Sequence, residues 1–535
     1  MNQKPGRLQS YLPLLLVLVL VSGILIGSRF NLLNPGAMSR GNSDSQKMDE
    51  ILSYIIDNYV DTLNRNKLNT AAIEGMLESL DPHSAYIPNE DYHDAVDPLR
   101  GNFEGVGIQF RIVNDSITVI QPVPGGPSEK AGILAGDRIV VIEGQNVASK
   151  KIKDTEVLKR LKGPKGSVVK VEVFRKGSKK LLPFSLTRDV IPTYSIDINY
   201  MVDAEVGYIK LSRFAATTSK EFEAALAGLK SQGMKKLIVD LRGNSGGYME
   251  AAVALADEFL SDKKMIVYTQ GRKRPKQEYF ATASGLFEKG DLYILIDDGS
   301  ASASEILAGA VQDNDRGTII GRRSFGKGLV QEQMELKDGS AVRLTVSRYY
   351  TPTGRSIQKP YSKGLDDYNH EFLQRYNDGE MEHPDSIHFA DSLKFTTPGG
   401  KIVYGGGGIM PDVYVALDRK DPVRQYFYRM ANSAALYKYT FDYTDRQRLA
   451  LRKYRDFREY DEGFKVSEAM LSEFVALTVK DSIPQNPKLL PVVKTDLELL
   501  LKAFISRNLY DDKGFYPLYN KLDKTILKAM ELTKK

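Results

Sequence analysis

An uncharged run of 21 residues, rich in leucine, valine and isoleucine, extends from Leu8 to Ser28. As a helix rising ~1.5 Å per residue it would span about 30 Å, the hydrocarbon thickness of a bilayer. Lys4 and Arg7 precede it, which by the positive-inside tendency places the short N-terminus in the cytoplasm. We therefore expect a transmembrane signal anchor over residues 1–30 and a polar linker over 31–46. A cleaved signal peptide is the alternative.

Four further patterns follow the linker. Residues 47–99 show apolar positions at helical spacing, whereas residues 100–190 are dominated by short β-rich runs. Residues 191–418 alternate apolar strands with amphipathic helices, which is typical of an α/β domain. Residues 419–535 are mostly charged and helical. The predicted fold class is multidomain α/β and α+β, with helical N-terminal and C-terminal regions.

Composition excludes several classes of function. Lysine and arginine (74) exceed aspartate and glutamate (68) by only six over 535 residues, so we expect no nucleic-acid partner. The chain contains no cysteine, which excludes disulfides, thiol nucleophiles and thiolate metal sites.

The β-rich module resembles a PDZ domain in two segments, Gly105-Val-Gly-Ile108 and Gly132-Ile-Leu-Ala-Gly-Asp-Arg-Ile139. Successive backbone N–H groups in a glycine loop can bind a terminal carboxylate, and an open strand edge can accept the peptide as an added strand. We therefore expect Gly105, Val106, Gly107 and Ile108 to bind the C-terminus of a protein ligand.

The segment Gly243-Asn-Ser-Gly-Gly247 resembles the nucleophile motif of trypsin-like proteases, with Ser245 as the nucleophile. That mechanism needs a histidine base and an aspartate upstream of the serine. The two upstream histidines, His83 and His93, precede the PDZ-like module. A buried strand, Lys236–Leu241, also leads into the motif, so the glycines of the motif are typical of a strand-to-helix turn. We retain the Ser245 protease only as a minor alternative.

A second glycine-rich segment, Gly321-Arg-Arg-Ser-Phe-Gly-Lys-Gly328, has phosphate-loop spacing up to its lysine. The next position should be a serine or threonine that opens a helix. Here it is Gly328, followed by a strand-like run and an Asp338-Gly339 hairpin turn. We expect no nucleotide site.

The third candidate is the segment from Leu292 to Ala308, in which an apolar strand leads through small residues into a helix. A serine at this junction lies in the field of the helix N-terminus, beside free amides that can bind an oxyanion. The alternative is structural, because Ser302-Ala-Ser-Glu305 is also a capping-box sequence.

Several motifs together resemble the carboxyl-terminal processing (tail-specific) proteases, in that family's order over residues 47–418. They are Leu80-Asp-Pro-His-Ser84, Asp240-Leu-Arg-Gly-Asn-Ser-Gly-Gly247, Gly299-Ser-Ala-Ser-Ala-Ser-Glu305, Phe325-Gly-Lys-Gly-Leu-Val-Gln331, Tyr350-Thr-Pro-Thr-Gly-Arg-Ser-Ile357 and Gly408-Ile-Met-Pro-Asp412. The resemblance implies a crotonase-like α/β protease core with an inserted PDZ domain, and neither metal nor other cofactor. Two features depart from the minimal family plan: an insertion at about 359–397 and the helical tail.

The resemblance also assigns roles to residues. Ser302 would be the nucleophile, Lys327 the general base and Gln331 the residue that orients the lysine. The N–H groups of Ala303 and Gly247 would form the oxyanion hole, with the adjacent Gly246 as the alternative to Gly247. A free lysine has a pKa of about 10.4, so burial must lower the pKa of Lys327 for it to act as a base.

These inferences predict a serine endopeptidase of the cell envelope, with its catalytic domain outside the cytoplasm, that cuts proteins near their C-termini. Its expected partners are proteins with accessible apolar C-termini, and possible further partners are a second copy of the chain or an adaptor protein. The competing hypothesis is a PDZ scaffold with an inactive protease core.

Overall fold

The computed structural model describes residues 17–23, 43–113, 115–362 and 364–534. Residues 17–23 are helical, and the rest of the anchor predicted over residues 1–30 lies outside the described residues. Within the described ranges, no helix combines the length and apolar character needed to cross a membrane. The chain forms two compact units that divide between Leu80 and Asp81.

Beyond the helical residues 17–23, the described part of the first unit contains the helices α1 (Ser43–Asn58) and α2 (Arg65–Glu78). The side chain of Asn64 caps α2 by accepting hydrogen bonds from the N–H groups of Asn66 (2.9 Å) and Lys67 (3.2 Å). Such a cap satisfies donors that the first helical turn cannot pair internally.

The second unit begins with β1 (Ala85–Ile87) and α3 (Asn89–Arg100), and continues into the β-rich module. The elements of this module are β2 (Asn102–Gly105), β3 (Ile108–Val113), β4 (Ser116–Pro122), α4 (Pro127–Lys130), β5 (Arg138–Ile142), β6 (Gln145–Asn146), α5 (Asp154–Leu161), β7 (Val168–Phe174), β8 (Leu182–Thr187) and β9 (Asp189–Pro192). Its main sheet has the order β3-β4-β5-β7-β8, with β6 paired to β5. Strand β3 therefore lies at an edge of the sheet.

The α/β core follows. Its elements are β10 (Ile196–Met201), β11 (Val206–Leu211), α6 (Thr218–Ser231), β12 (Lys236–Asp240), α7 (Met249–Asp257), β13 (Met265–Gln270), β14 (Gln277–Phe280), β15 (Asp291–Ile296), α8 (Ala303–Asp313), β16 (Thr318–Gly321), β17 (Leu329–Glu335) and β18 (Ala341–Tyr350).

The insertion and the end of the core add α9 (Leu365–Asn377), β19 (Lys394–Thr396), β20 (Ile402–Tyr404) and β21 (Val413–Tyr414), with short 3₁₀ turns at Pro384–Ser386 and Asp391–Leu393. The tail consists of α10 (Pro422–Ala431), α11 (Ala434–Leu451), α12 (Phe457–Gly463), α13 (Glu468–Lys480), α14 (Leu490–Tyr519, interrupted at Tyr510–Asp511), a 3₁₀ turn at Asn520–Leu522 and α15 (Lys524–Leu532).

The central sheet has the order β10-β11-β12-β15-β16-β21 and is parallel from β11 onward. Both of its faces are covered, which explains why its strands read as continuous apolar runs. In β12, Leu237 and Val239 pack into the cluster that contains α6, α7 and α8, whereas Ile238 packs with Ile526 and Ala529 of α15. The last helix of the tail is therefore part of the core.

A second sheet has the order β1-β18-β13-β14, and β17 pairs with β18. The hairpin formed by β17 and β18 directly follows the glycine-rich segment Gly321–Gly328. The predicted turn at Asp338-Gly339 connects β17 to β18. Since β17 is a strand, this segment lacks the helix that a phosphate loop requires.

Candidate active site

Ser302 lies at the junction between β15 and α8, immediately before the first residue of the helix. Its backbone has φ 56° and ψ −115°, a region that non-glycine residues rarely adopt and that costs of order 1–3 kcal/mol. Strain of this kind is concentrated at functional sites, where the surrounding structure enforces it. The junction thus presents Ser302 at the positive end of α8.

A cavity of about 500 Å³ opens beside this serine. It brings together four of the residues predicted from sequence: Ser302, Lys327, Gln331 and Gly247. The remaining lining residues are Val96, Leu99, Ser245, Gly246, Tyr248, Met249, Glu250, Ile306, Leu329, Val330, Gln333, Arg343 and Tyr349.

Lys327 lies in the loop before β17, and its amine donates a hydrogen bond to Oε1 of Gln331 (3.2 Å). Burial lowers the pKa of Lys327, and the positive charge of Arg343 lowers it further, against smaller opposing effects of Asp81 and Glu305. Among the residues that the structure describes, no carboxylate forms an ion pair with this amine. The environment therefore favours the neutral amine.

The amide of Gln331 is itself held in place. Its Nε2 donates a hydrogen bond to the main-chain carbonyl of His83 (2.5 Å). This carbonyl belongs to a turn organised by Asp81, whose carboxylate accepts hydrogen bonds from the N–H of His83 (2.9 Å) and from the N–H (3.0 Å) and hydroxyl (2.6 Å) of Ser84. Although burial opposes it, hydrogen bonding holds the pKa of Asp81 below its ordinary value.

The sequence identifies the Asp81 turn only as part of the motif Leu80–Ser84, and this motif does not reveal the hydrogen bond from Gln331 to the carbonyl of His83. The imidazole of His83 also bonds to the insertion, since its Nε2 lies 2.8 Å from the hydroxyl of Tyr368 in α9. Burial is the main cause that lowers the pKa of His83 to about 4, so the ring is neutral at physiological pH.

Glu305 is the second feature that sequence reasoning missed, because it had been considered only as part of a capping box. The side chain is fully buried, and its carboxylate accepts hydrogen bonds from the N–H groups of Ser302 (2.9 Å), Gly326 (2.7 Å) and Lys327 (2.9 Å) and from the hydroxyl of Ser324 (2.5 Å). Burial raises the pKa of Glu305 to about 7. The capping-box pattern was the available signal, but it could not reveal the three partners in a loop some twenty residues away.

The backbone N–H groups near Ser302 differ in their availability. The N–H of Gly246 donates to Oδ1 of Asn244 (2.9 Å), whereas those of Ala303 and Gly247 have no acceptor among the described residues. Gly247 has φ 145°, and a Cβ there would lie 2.0 Å from the carbonyl oxygen of Phe214. The close approach of these two segments therefore requires glycine at this position.

Ser245 lines the same cavity, but no histidine does. The site therefore does not provide the imidazole base that a trypsin-like mechanism needs.

The PDZ-like loop lies between β2 and β3, at the edge of its sheet. Gly107 has φ 70°, a left-handed conformation that favours glycine. Among the described residues, the N–H groups of Val106 and Gly107 have no hydrogen-bond acceptor. The structure thus presents two adjacent free donors at the start of an edge strand.

Comparison with known proteins assigns the family. The model of peptidase family S41 matches residues 205–366, and that of the PDZ domain matches residues 105–186. The carboxy-terminal-processing protease of Bartonella bacilliformis is 36% identical over 351 residues, which cover 64% of this chain and 80% of that protein. The chain belongs to the carboxy-terminal processing proteases.

A second relative agrees with this assignment. The carboxy-terminal processing protease CtpA of Bacillus subtilis is 33% identical over 356 residues, covering 66% of this chain and 75% of CtpA. The model of the activating protease CtpB N-terminal domain matches residues 33–91, and a family of unknown function matches residues 426–511. A solved photosystem II D1 C-terminal processing protease is 27% identical and covers 70% of this chain and 93% of its own, with a TM-score of 0.36.

Membership of this family confirms the prediction from the motifs and makes the chain a serine-type peptidase with a PDZ domain. The alternative of an inactive PDZ scaffold is therefore not favoured. No cluster of histidine, aspartate or glutamate suited to a metal ion occurs within the described part of the chain.

Proposed function

We propose that this carboxy-terminal processing protease uses Ser302 as its nucleophile and Lys327 as its general base. The proposal rests on the surroundings of the Lys327 amine. This amine is half-buried, donates a hydrogen bond to the amide of Gln331 and forms no ion pair with a carboxylate among the described residues. An amide can orient a neutral amine without retaining a proton on it, whereas a carboxylate would stabilise the ammonium form.

In this mechanism the amine of Lys327 takes the proton of the Ser302 hydroxyl as the serine oxygen attacks the scissile carbonyl carbon. The negative charge that develops on the carbonyl oxygen is stabilised by the N–H groups of Ala303 and Gly247. The lysine ammonium then protonates the departing amine, and an acyl-enzyme remains on Ser302. In the second half, Lys327 takes a proton from water as the water oxygen attacks the ester carbonyl carbon. The resulting ammonium returns this proton to the Ser302 oxygen when the new C-terminus is released.

The apolar wall of the cavity supplies the contacts for substrate. Ile306 of α8, Leu329 and Val330 of β17, and Met249 of α7 lie around the proposed dyad. An apolar side chain beside the scissile bond would be removed from water there, which favours cleavage within apolar C-terminal segments.

The PDZ loop Gly105–Ile108 would bind the C-terminal carboxylate of the same substrate. Free N–H groups at Val106 and Gly107 support this role, as does the exposed edge of β3. The run from Leu8 to Ser28 supports a location in the cell envelope, with the catalytic domain outside the cytoplasm.

Three variants test the dyad with an unstructured protein that ends in a free apolar C-terminus. Ser302→Ala and Lys327→Ala should each lower kcat by about 10³-fold or more, because each removes a group that moves the proton or attacks. Ser245→Ala is the matched control, since it removes a second serine hydroxyl from the same cavity, and it should retain measurable turnover. Activity that survives Ser302→Ala, or that survives Lys327→Ala at neutral pH, would exclude this mechanism.

A further inference from the structure

A second cavity, of about 570 Å³, lies between the PDZ domain and the helical tail. One wall is formed by residues 109–113 of β3. The opposite wall is formed by helices α11, α13 and α14, through side chains that include Tyr437, Phe441, Leu477 and Phe504. The residues of these helices that line the cavity lie within the segment 426–511, which matches a family of unknown function.

We propose that this cavity binds the extended segment that immediately precedes a substrate's C-terminus, and that the helical tail is its second wall. The inference rests on the proposed function of the PDZ loop as the carboxylate site. It adds that the tail, and not the PDZ domain alone, selects the upstream residues of the substrate.

The backbone of β3 supplies the first argument. Among the described residues β3 pairs only with β4, so its other edge presents unpaired N–H and C=O groups to an incoming strand. The cavity begins at Gln109, directly after the loop that ends at Ile108. A strand rises about 3.3 Å per residue, so the stretch 109–113 can pair with roughly five residues upstream of a carboxylate held by the loop.

The side chains of the tail supply the second argument. Tyr437 packs edge-to-face on Phe504 with ring centroids 5.1 Å apart, and the guanidinium of Arg111 lies 4.6 Å from the centroid of the Tyr437 ring. Aromatic walls of this kind bind apolar side chains with a small loss of conformational entropy. Lys176 and Asp445 form an ion pair of 3.1 Å that also joins the PDZ domain to α11, so the two walls are held together.

The charges of the residues that line the cavity indicate which charge the bound substrate segment should carry. Of the residues that line the cavity, Asp481 is the only carboxylate, and it accepts a hydrogen bond from the N–H of Ala435 (2.7 Å). The lining includes four cationic residues, among them Arg111, which has no ion pair within the described ranges. A mainly apolar segment with one acidic residue near Arg111 is therefore the complementary ligand.

The first test compares two tyrosines of the tail that are equally exposed, at 41% each: Tyr437, which lines the cavity, and Tyr428 on α10, which does not. Binding of labelled peptides to the full chain is measured in a Ser302→Ala background. The probes are a ten-residue peptide with an apolar free C-terminus, its three-residue C-terminal fragment, and the amidated ten-residue peptide.

Tyr437→Ala should weaken binding of the ten-residue peptide about five- to tenfold and leave the three-residue fragment unchanged, whereas Tyr428→Ala should change neither. Equal affinity of the wild-type tail and Tyr437→Ala for the ten-residue peptide would overturn the inference. Tighter binding by Tyr437→Ala would also overturn it, because that result would mean that the tail blocks the cavity. If amidation has no effect on the wild-type tail, the carboxylate site itself is wrong, which is a separate failure.

A charge reversal provides an independent test that does not depend on the packing of Tyr437. With arginine at position 111, a peptide with aspartate three to five residues before its C-terminus should bind about fivefold more tightly than the same peptide with lysine there. Arg111→Glu should reverse this preference. An unchanged preference in Arg111→Glu, with the fold intact by circular dichroism, would contradict the site.

Discussion

The main-chain N–H groups of Ser302 and Lys327 donate hydrogen bonds to the same carboxylate oxygen, Oε2 of Glu305, each at 2.9 Å. The two residues come from different elements, the start of α8 and the loop before β17. Tyr349 joins the same two segments, because its hydroxyl donates to the carbonyl of Lys327 and lies 3.1 Å from that of Ser302. The relative position of the proposed nucleophile and base is thus fixed through their backbones.

The first prediction is that Glu305→Gln loses both activity and stability. At pH 8, above the pKa of about 7, the carboxylate accepts four hydrogen bonds, two at each oxygen. An amide replaces one oxygen with an NH₂ group, which would face N–H donors. Leaving a buried donor unpaired costs about 1–3 kcal/mol. We expect a lower free energy of unfolding in urea and a kcat reduced by about 10²-fold.

Glu332→Gln is the control for this variant. Glu332 is an exposed carboxylate of β17 whose partner is Arg274 (2.6 Å). Exposed pairs contribute little, so this substitution should change the free energy of unfolding by less than about 1 kcal/mol. Glu305→Gln with wild-type kcat would show that the bridge does not position the dyad.

The second prediction concerns the pH dependence of activity. Gln331→Glu places a carboxylate beside the amine of Lys327, which is 3.2 Å from the present amide oxygen. A nearby negative charge favours the ammonium form and raises the pKa of Lys327. Since the neutral amine is the proposed base, the acidic limb of kcat/KM should move to higher pH by about one unit or more, with little activity left at pH 7.

Gln333→Glu tests whether this effect depends on position. Gln333 lies on the same strand and lines the same cavity, but its side chain bonds to Arg343 (3.2 Å) and not to the lysine. Its pH profile should shift by a smaller amount. Identical shifts in the two variants would mean that Gln331 has no particular relation to Lys327.

Local patterns sufficed to predict much of this fold. The short β-rich runs expected over residues 100–190 correspond to strands β2 to β9, and the strand–turn–helix around Ser302 lies where expected. These elements are predictable because their apolar periodicity and turn residues are local. The motif order then allowed Ser302, Lys327 and Gln331 to be placed in one site, and all three line one cavity.

Contacts between distant segments could not be predicted in this way. The bond from Gln331 to the carbonyl of His83 joins residues 248 positions apart, and nothing in either local sequence specifies it. The sequence of the insertion does not specify a role for it, yet Tyr368 bonds to His83, and Arg375 donates to the carbonyls of Arg323 (2.8 Å) and Ser324 (3.1 Å), just before Lys327. Its position depends on tertiary packing, which amphipathic periodicity does not encode.

The third prediction concerns Gly246, which lies against the start of α8. A Cβ at this position would lie 2.8 Å from Cβ of Ser302, 2.8 Å from the carbonyl oxygen of Ala301 and 3.0 Å from the nitrogen of Ala303. Two of these atoms are backbone, so the start of α8 would have to move. Because misplacement of reacting groups by about 1 Å can cost 10²-fold, Gly246→Ala should reduce kcat by about that factor.

Gly243→Ala separates this effect from backbone strain. Gly243 and Gly246 both have positive φ, 70° and 101°, so alanine at either position costs about 1–2 kcal/mol. A Cβ at Gly243, however, would meet no heavy atom within 4 Å. We therefore expect both variants to lower the melting temperature, but only Gly246→Ala to lose activity at a temperature where both are folded. Equal losses of kcat would attribute the effect to the loop as a whole. The difference, if found, places the requirement for glycine at the contact with Ser302 and the N–H of Ala303.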